Sequence, residues 1–257
     1  MRTTSHTGAT ARWRIERRDV LRWGGLAAAT AVVTGCSSKS PAPAAPGAAP
    51  TPSGAAGQPT ASAGTPLSRL QVGNARFVAG GAIHPDQGLA RRSAVASGQQ
   101  PFAQVLCCID SRVAPEVIFD QGLGDLLVTR SAGQVLDHAV VGSLQFGVAE
   151  LKIPLLLVLG HERCGAVKAT VEAVEKHSPP AGSDLDALVR AIRPAVETAV
   201  AEHAPDVLDA AIWHNVENVT GTLNAARVLA PAVKAGTLQI VSGRYDLDTG
   251  VVEVRAG

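Results

Sequence analysis

The amino-acid sequence predicts an α/β fold, in which a mostly parallel β-sheet is flanked by helices and ends in an antiparallel C-terminal edge. Three short apolar runs, at residues 104–109, 125–129 and 154–159, are bounded by glycine, proline or charged residues, as strands buried on both faces usually are. Segments with helical spacing of apolar residues lie between these runs. Strands that alternate with helices in this way are typical of a parallel sheet.

The predicted helices are recognised by apolar residues that recur every three or four positions. Three of them are predicted over residues 115–119, 139–151 and 166–175. A longer helical region is predicted from residue 184 to about residue 229. Interruptions are expected in it near Pro194 and Pro205, because proline cannot donate to the helical hydrogen-bond ladder.

The C-terminal segment has a different pattern. Apolar runs at residues 238–241 and 251–254 flank the turn residues Asp248, Thr249 and Gly250. Two short runs on either side of such a turn predict one further strand and an antiparallel hairpin partner.

The first 35 residues have the features of an export signal. Arginines precede an apolar stretch at residues 23–35, which is too short to span a bilayer as a helix. The adjacent Arg17 and Arg18 resemble a twin-arginine export signal. Cys36 follows small residues, as the lipid-carrying cysteine of a bacterial lipoprotein does; the alternative is cleavage nearby, with Cys36 left as an unmodified thiol. We therefore expect an exported protein that is lipid-anchored to the bacterial cell membrane.

Residues 36–66 are predicted to be a tether, because they are almost wholly alanine, proline, glycine, serine and threonine. Residues 67–257 are long enough to form one domain with its own core. Without the predicted signal, 17 basic and 20 acidic side chains remain, and the net charge changes from +1 to −3. This charge gives no basis for binding nucleic acid, and four cysteines in 257 residues do not form a disulfide scaffold.

Chemically reactive residues follow the first and third predicted strands. The sequence CIDSR places Cys108, Asp110 and Arg112 two residues apart, so in extended backbone the three side chains would share one face. By the same alternation, Cys107 would face the other way and would be a packed core thiol.

The sequence HERC follows the third predicted strand. His161 and Cys164 are three residues apart, which is one turn of a helix predicted to begin just past Gly160. Together with Cys108 they form a Cys–His–Cys set, which suits zinc with one coordination position left open for catalysis. The alternative for Cys108 and Cys164 is a pair of buried thiols or a disulfide.

Several motifs together resemble the β-class carbonic anhydrases, in that family's order and spacing. They are LSRLQVGNARFVAG, CIDSRV, GDLLVTRSAG, GSLQF, LLLVLGHERCGAV and SGRYDLDTGVVEV. The resemblance covers residues 67–256, and it implies a β-carbonic anhydrase-like catalytic domain over residues 67–257.

The resemblance implies a zinc lyase that converts carbon dioxide reversibly to bicarbonate and a proton. One Zn²⁺ per chain would be held by Cys108, His161 and Cys164, and would supply a bound hydroxide. Asp110 would orient this hydroxide, and Arg112 would keep Asp110 ionised and aimed. In some members of the family the matching aspartate binds zinc as a fourth ligand in a closed state, so both roles are open for Asp110.

The resemblance also suggests four residues of the substrate pocket, namely Gln99, Leu127, Phe146 and Gly165. Gln99 falls where members with an open site carry a substrate-binding glutamine, which favours an open site here. Ser131 and Gln134 depart from the asparagines that the family usually has, and Phe146 replaces a common tyrosine.

The resemblance implies a homodimer or a larger homo-oligomer with the pocket at the subunit boundary, and Gln99 and Phe146 would then lie on either side of it. Two other functions are compatible with the sequence. One is a related zinc hydrolase that acts on carbon disulfide or carbonyl sulfide. The other is a non-catalytic lipoprotein that binds zinc or bicarbonate.

Overall fold

The structure is a computed structural model, and it describes residues 64–177 and 182–256. The predicted export signal, Cys36 and nearly all of the predicted tether lie outside the described residues. Within the described part of the chain, no helix combines the length and the apolar character that a membrane span requires.

Five strands form one sheet: β1 (Ala103–Cys107), β2 (Leu126–Arg130), β3 (Leu155–His161), β4 (Gln239–Tyr245) and β5 (Val252–Ala256). Their order across the sheet is β2-β1-β3-β4-β5. The first four strands are parallel, and β5 pairs antiparallel to β4. The predicted parallel sheet and its antiparallel C-terminal edge are confirmed.

Eight helices are described: α1 (Pro66–Val78), α2 (Leu89–Ala94), α3 (Pro115–Ile118), α4 (His138–Ala149), α5 (Gly165–Glu175), α6 (Leu185–Ala201), α7 (Val207–Ala225) and α8 (Ala230–Lys234). A single 3₁₀ turn over Ala132–Gln134 follows β2. Three helices are preceded by a residue whose side chain accepts a free backbone N–H of the first turn, namely Thr65, Asp137 and Asp206.

The interruption predicted near Pro194 is wrong, whereas the one near Pro205 falls between α6 and α7. Pro194 is an exposed residue inside α6. The opposite face of the helix is buried through Ile192, Val196 and Ala199, which pack with α5 and α7. This packing keeps the helix continuous although proline removes one backbone hydrogen bond.

The central strands β1 and β3 are buried on both faces, as their apolar runs predicted, whereas β2 lies at the edge of the sheet and is only partly buried, contrary to the prediction for residues 125–129. On one face, Val105 and Leu157 pack with residues of α1 and α3. On the other face, Leu106 and Val158 pack with residues of α4 and α7. A third cluster lies among α5, α6 and α7 and includes the predicted metal ligands Cys108 and Cys164. The fold therefore brings the ends of β1 and β3 together beneath these helices.

Candidate metal centre

Strand β1 ends at Cys107, two residues earlier than predicted, so Cys108 is the first residue beyond the strand. The alternation predicted for Cys108, Asp110 and Arg112 is therefore wrong beyond this point. A tight turn replaces it. The Asp110 carboxylate accepts the backbone N–H of Arg112, and the main-chain carbonyl oxygen of Asp110 accepts the backbone N–H of Val113. The turn, rather than extended backbone, brings the side chains of Asp110 and Arg112 together.

Strand β3 continues through His161, and the helix predicted to begin just past Gly160 begins at Gly165 instead. The strand extends this far because it pairs with β4 along its whole length. The chain then reverses at Arg163, which has a left-handed φ of 51°. Cys164 is the residue immediately before α5, so a turn and not a helix joins the two predicted ligands.

The three predicted metal ligands come together in the structure. The side chains of Cys108, His161 and Cys164 are buried, and their ligand atoms all lie within 4.8 Å of one another. The reason is topological, because β1 and β3 are adjacent parallel strands whose carboxyl ends meet at the same edge of the sheet.

The His161 ring is oriented as a metal-binding imidazole would be. Its Nδ1 lies 2.8 Å from the carbonyl oxygen of Glu162, so Nδ1–H donates there and Nε2 carries the free lone pair. Among the residues that the structure describes, Nε2 has no hydrogen-bond partner although it is buried. A buried polar atom without a partner is rare, and two cysteine sulfurs lie beside it. Two thiolates and one imidazole fit zinc and leave a fourth position open.

The two ligand sulfurs influence each other's ionisation. The neighbouring Cys164 thiol lowers the pKa of Cys108, and the same contact together with burial raises the pKa of Cys164. Because zinc binds deprotonated thiolates, a metal that binds both sulfurs must displace protons from the pair.

Cys107 behaves as the sequence predicts. It packs in the core cluster on the face of the sheet opposite to Cys108, together with Val105 and Leu157. Burial raises the pKa of the Cys107 thiol to about 12, so it stays protonated.

Asp110 and Arg112 form a two-pronged ion pair beside the cysteines. Asp110 Oδ1 accepts Arg112 Nε–H at 2.9 Å, and Oδ2 accepts Nη2–H at 2.7 Å. The Arg112 guanidinium holds the pKa of the Asp110 carboxyl far below its usual range. Asp110 Oδ2 is also 3.9 Å from His161 Nε2, so an ionised carboxylate faces the candidate metal position.

Arg130 supports the loop that carries Asp110, although no sequence pattern indicates this role. Its Nε–H donates to the carbonyl oxygen of Cys108 at 3.0 Å, and its Nη2–H donates to that of Asp110 at 2.7 Å. Arg130 lies within the motif GDLLVTRSAG, but periodicity gives no sign that the last residue of β2 reaches across to β1.

The predicted pocket residues lie in two places on the single chain. Leu127 and Phe146 line a cavity of about 630 Å³ between β2 and α4, together with Arg130. Gly165 begins α5 next to Cys164. Gln99 is exposed and lines a different groove, after α2. The described chain thus brings Leu127 and Phe146 together and leaves Gln99 apart from them.

Comparison with known proteins agrees with this geometry. The family model for carbonic anhydrase matches residues 103–252. A carbonic anhydrase of Mycolicibacterium smegmatis is 43% identical over 187 residues, which cover 73% of this chain and 90% of that protein.

Solved structures give the same result for the fold. The β-carbonic anhydrase of Coccomyxa, solved in complex with acetazolamide, is 27% identical, with a TM-score of 0.58 over 74% of this chain and 88% of that one. A structure from Sordaria macrospora, described as one of two tetrameric β-carbonic anhydrases, is 20% identical, with a TM-score of 0.58 over 63% of this chain and 84% of that one. The sequence match, the fold and the Cys–His–Cys cluster together show that this chain belongs to the β class of the carbonic anhydrase family.

Proposed function

We propose that the protein hydrates carbon dioxide reversibly to bicarbonate and a proton, with one Zn²⁺ per chain held by Cys108, His161 and Cys164. The observation that carries this proposal is the unpartnered, buried Nε2 of His161, which faces two cysteine sulfurs. Structural zinc sites usually close with a fourth Cys or His ligand. The three-residue set here, with an ionised aspartate beside it, supports a catalytic site instead.

When bound, zinc lowers the pKa of a coordinated water to about 7 and so supplies hydroxide at neutral pH. The residues around it have separate tasks. Asp110 accepts a hydrogen bond from the attacking oxygen and so directs its lone pair at the carbon of CO₂. Arg112 fixes the Asp110 carboxylate through two hydrogen bonds and keeps it ionised. Arg130 holds the loop that carries Asp110.

The same geometry supports an open site at neutral pH. Both oxygens of Asp110 are engaged by Arg112, and the carboxylate would have to leave this pair before it could bind a metal as a fourth ligand. We therefore assign Asp110 the orienting role and not the inhibitory one.

Removal and return of zinc tests the proposed function. Dialysis of the purified chain against a chelator is expected to abolish CO₂ hydration, and one equivalent of Zn²⁺ per chain is expected to restore it. The same samples should be assayed with carbonyl sulfide. Activity that survives complete loss of zinc would contradict the proposal; a zinc-loaded chain that turns over carbonyl sulfide but not CO₂ would be a related hydrolase. Zinc and bicarbonate binding without any turnover would indicate the non-catalytic lipoprotein.

We further propose that the protein forms a homodimer or a larger oligomer whose pocket lies between chains. Phe146, which lines the cavity with Leu127, is 51% exposed on the single chain and is accessible to a partner chain. Gln99 lines a different groove from Leu127 and Phe146 on the same chain. In an oligomer, Gln99 of one chain would instead be able to reach the cavity of another chain. The Sordaria macrospora β-carbonic anhydrase, which shares the fold, is described as tetrameric, and this supports assembly into an oligomer. Light scattering that finds only monomers of the purified chain would exclude it.

The location of the protein is a separate proposal, which rests on the sequence alone. The adjacent Arg17 and Arg18 and the small residues before Cys36 support export and a lipid anchor at Cys36. Replacing Cys36 with Ala is expected to release the protein from the membrane fraction into the medium, because the anchored thiol would be lost. Fractionation and immunoblotting measure this, and retention of Cys36→Ala at the membrane would count against the lipid anchor.

A further inference from the structure

A backbone N–H outside the metal-ligand set reaches one of the ligand sulfurs. Gly133, in the 3₁₀ turn after β2, donates its N–H to Cys108 Sγ at 3.4 Å. Its φ is +60°, and a Cβ at this position would lie 2.7 Å from Ile192 Cδ1 and 3.2 Å from Ala166 Cβ. Glycine is therefore the residue that allows the turn to approach the sulfur so closely.

Asn215 of α7 holds this glycine from the other side. Its side chain is buried, and its Nδ2 donates to the Gly133 carbonyl oxygen at 2.7 Å and to Gln134 Oε1 at 3.5 Å. Gln134 in turn donates Nε2–H to the carbonyl oxygen of Leu159 in β3 at 2.9 Å. The turn is thus fixed by hydrogen bonds to α7 and to the strand that carries His161.

The direction of the Gly133 N–H depends on these contacts. Glycine has the widest choice of φ and ψ, so a turn at Gly133 needs an outside restraint to keep one conformation. Asn215 supplies it, because fixing the Gly133 carbonyl oxygen also limits rotation of the N–H on the same residue. Hydrogen bonds to a ligand sulfur tune its charge, and groups that orient ligands affect metal affinity.

We propose that Asn215 is a positioning residue of the metal centre, which acts through Gly133 to keep a hydrogen bond on the Cys108 sulfur. The inference rests on the proposed zinc site. The described hydrogen bonds of Asn215 do not reach the ligands, and Asn215 does not line the cavity of Leu127 and Phe146, so its effect is expected on the metal–sulfur bond and not on substrate recognition.

The test compares two similar changes in the same helix, made in the full chain. Asn215→Leu keeps the branching of the side chain, with methyl groups in place of the amide oxygen and nitrogen, and removes the donor. Thr220→Val is the matched control, because Thr220 is also buried in α7. This change removes one buried hydrogen bond, between Thr220 and Ser242, that has no connection to the metal ligands. For each chain, zinc affinity is measured by competition with a chelator, and the sulfur-to-cobalt charge-transfer band is recorded after substitution with Co²⁺. Urea unfolding of the metal-free chains records the change in stability.

Asn215→Leu is expected to weaken zinc binding roughly 10-fold or more and to shift the cobalt band, because the Cys108 sulfur loses an ordered donor. Thr220→Val is expected to lose stability while its zinc affinity and cobalt band stay those of the wild type. If Asn215→Leu does not fold, Asn215→Ala takes its place, since it removes the donor without adding bulk.

The outcomes separate this inference from the proposed function. An Asn215 variant that binds zinc like the wild type and has an unshifted cobalt band would overturn the positioning role alone. Equal losses of zinc affinity in Asn215→Leu and Thr220→Val would also overturn it, because a general loss of stability would then explain both. A wild-type chain that binds neither zinc nor cobalt would overturn the proposed function and this inference together.

Discussion

Replacing Asp110 with Asn is expected to lower the rate of CO₂ hydration roughly 100-fold or more, while each chain keeps its zinc. Asn has the shape of Asp but no negative charge, and its amide nitrogen cannot accept a hydrogen bond. The carboxylate that directs the attacking oxygen would be lost, and so would one of the two hydrogen bonds from Arg112. Stopped-flow assays of CO₂ hydration measure the rate, and metal analysis of the same sample measures zinc.

A second aspartate provides the matched control for this experiment. Asp248 also accepts two hydrogen bonds from an arginine, Arg163, at 2.8 Å each, but it is 72% exposed and lies outside the ligand cluster. Because exposed ion pairs contribute little, Asp248→Asn is expected to retain the wild-type rate. Unchanged turnover in Asp110→Asn would remove the orienting role from Asp110.

Replacing Cys164 with Ser is expected to abolish zinc binding and CO₂ hydration together. A serine hydroxyl stays protonated at neutral pH and is a poor ligand for zinc, and two remaining ligands do not hold the ion. Metal analysis after extensive dialysis and the stopped-flow assay are expected to fall to background in the same sample.

Cys107→Ala is the control for the loss of a buried thiol. Cys107 is as deeply buried as the ligands but packs on the opposite face of the sheet, so the variant is expected to keep one zinc per chain and its turnover. A Cys164→Ser chain that retains zinc would show that the metal is held elsewhere.

The sequence predicted the Cys–His–Cys cluster better than the backbone that carries it. Cys, His and Cys after two neighbouring parallel strands must meet, whatever the exact ends of those strands, because the carboxyl ends share one edge of the sheet. The conformation of the segment from His161 to Cys164 was not predictable from spacing. It depends on the pairing of β3 with β4, which lies about eighty residues further along the chain.

Local hydrogen bonds explain why the backbone from Asp110 to Arg112 differs from the predicted extended strand. Alternation along a strand correctly separated Cys107 from Cys108 on the two faces of the sheet. The same rule failed from Asp110 onward because the Asp110 side chain competes for the Arg112 N–H and ends the extended backbone. The predicted pairing of Asp110 with Arg112 is present, but a turn and not an extended strand carries it.

The supporting residues of the site were beyond the reach of sequence patterns. Arg130 donates to the Cys108 carbonyl oxygen and Asn215 donates to the Gly133 carbonyl oxygen, in each case from a distant part of the chain. Neither donor has a sequence spacing to its partner that would indicate the contact. Gln134 departs from the usual asparagine, yet it has a defined partner in the Leu159 carbonyl oxygen. Such contacts are set by tertiary packing and become visible only in three dimensions.

The decisive measurement is stopped-flow CO₂ hydration by the purified, zinc-assayed chain at about pH 7, near the usual pKa of water activated by zinc, and at about pH 8.5, above it. We predict rapid turnover at both values, because Asp110 stays paired with Arg112 and the site stays open. Activity only at the higher pH would mean that Asp110 binds the metal at neutral pH. No turnover at either pH, in a chain that holds one zinc ion, would contradict the proposed function.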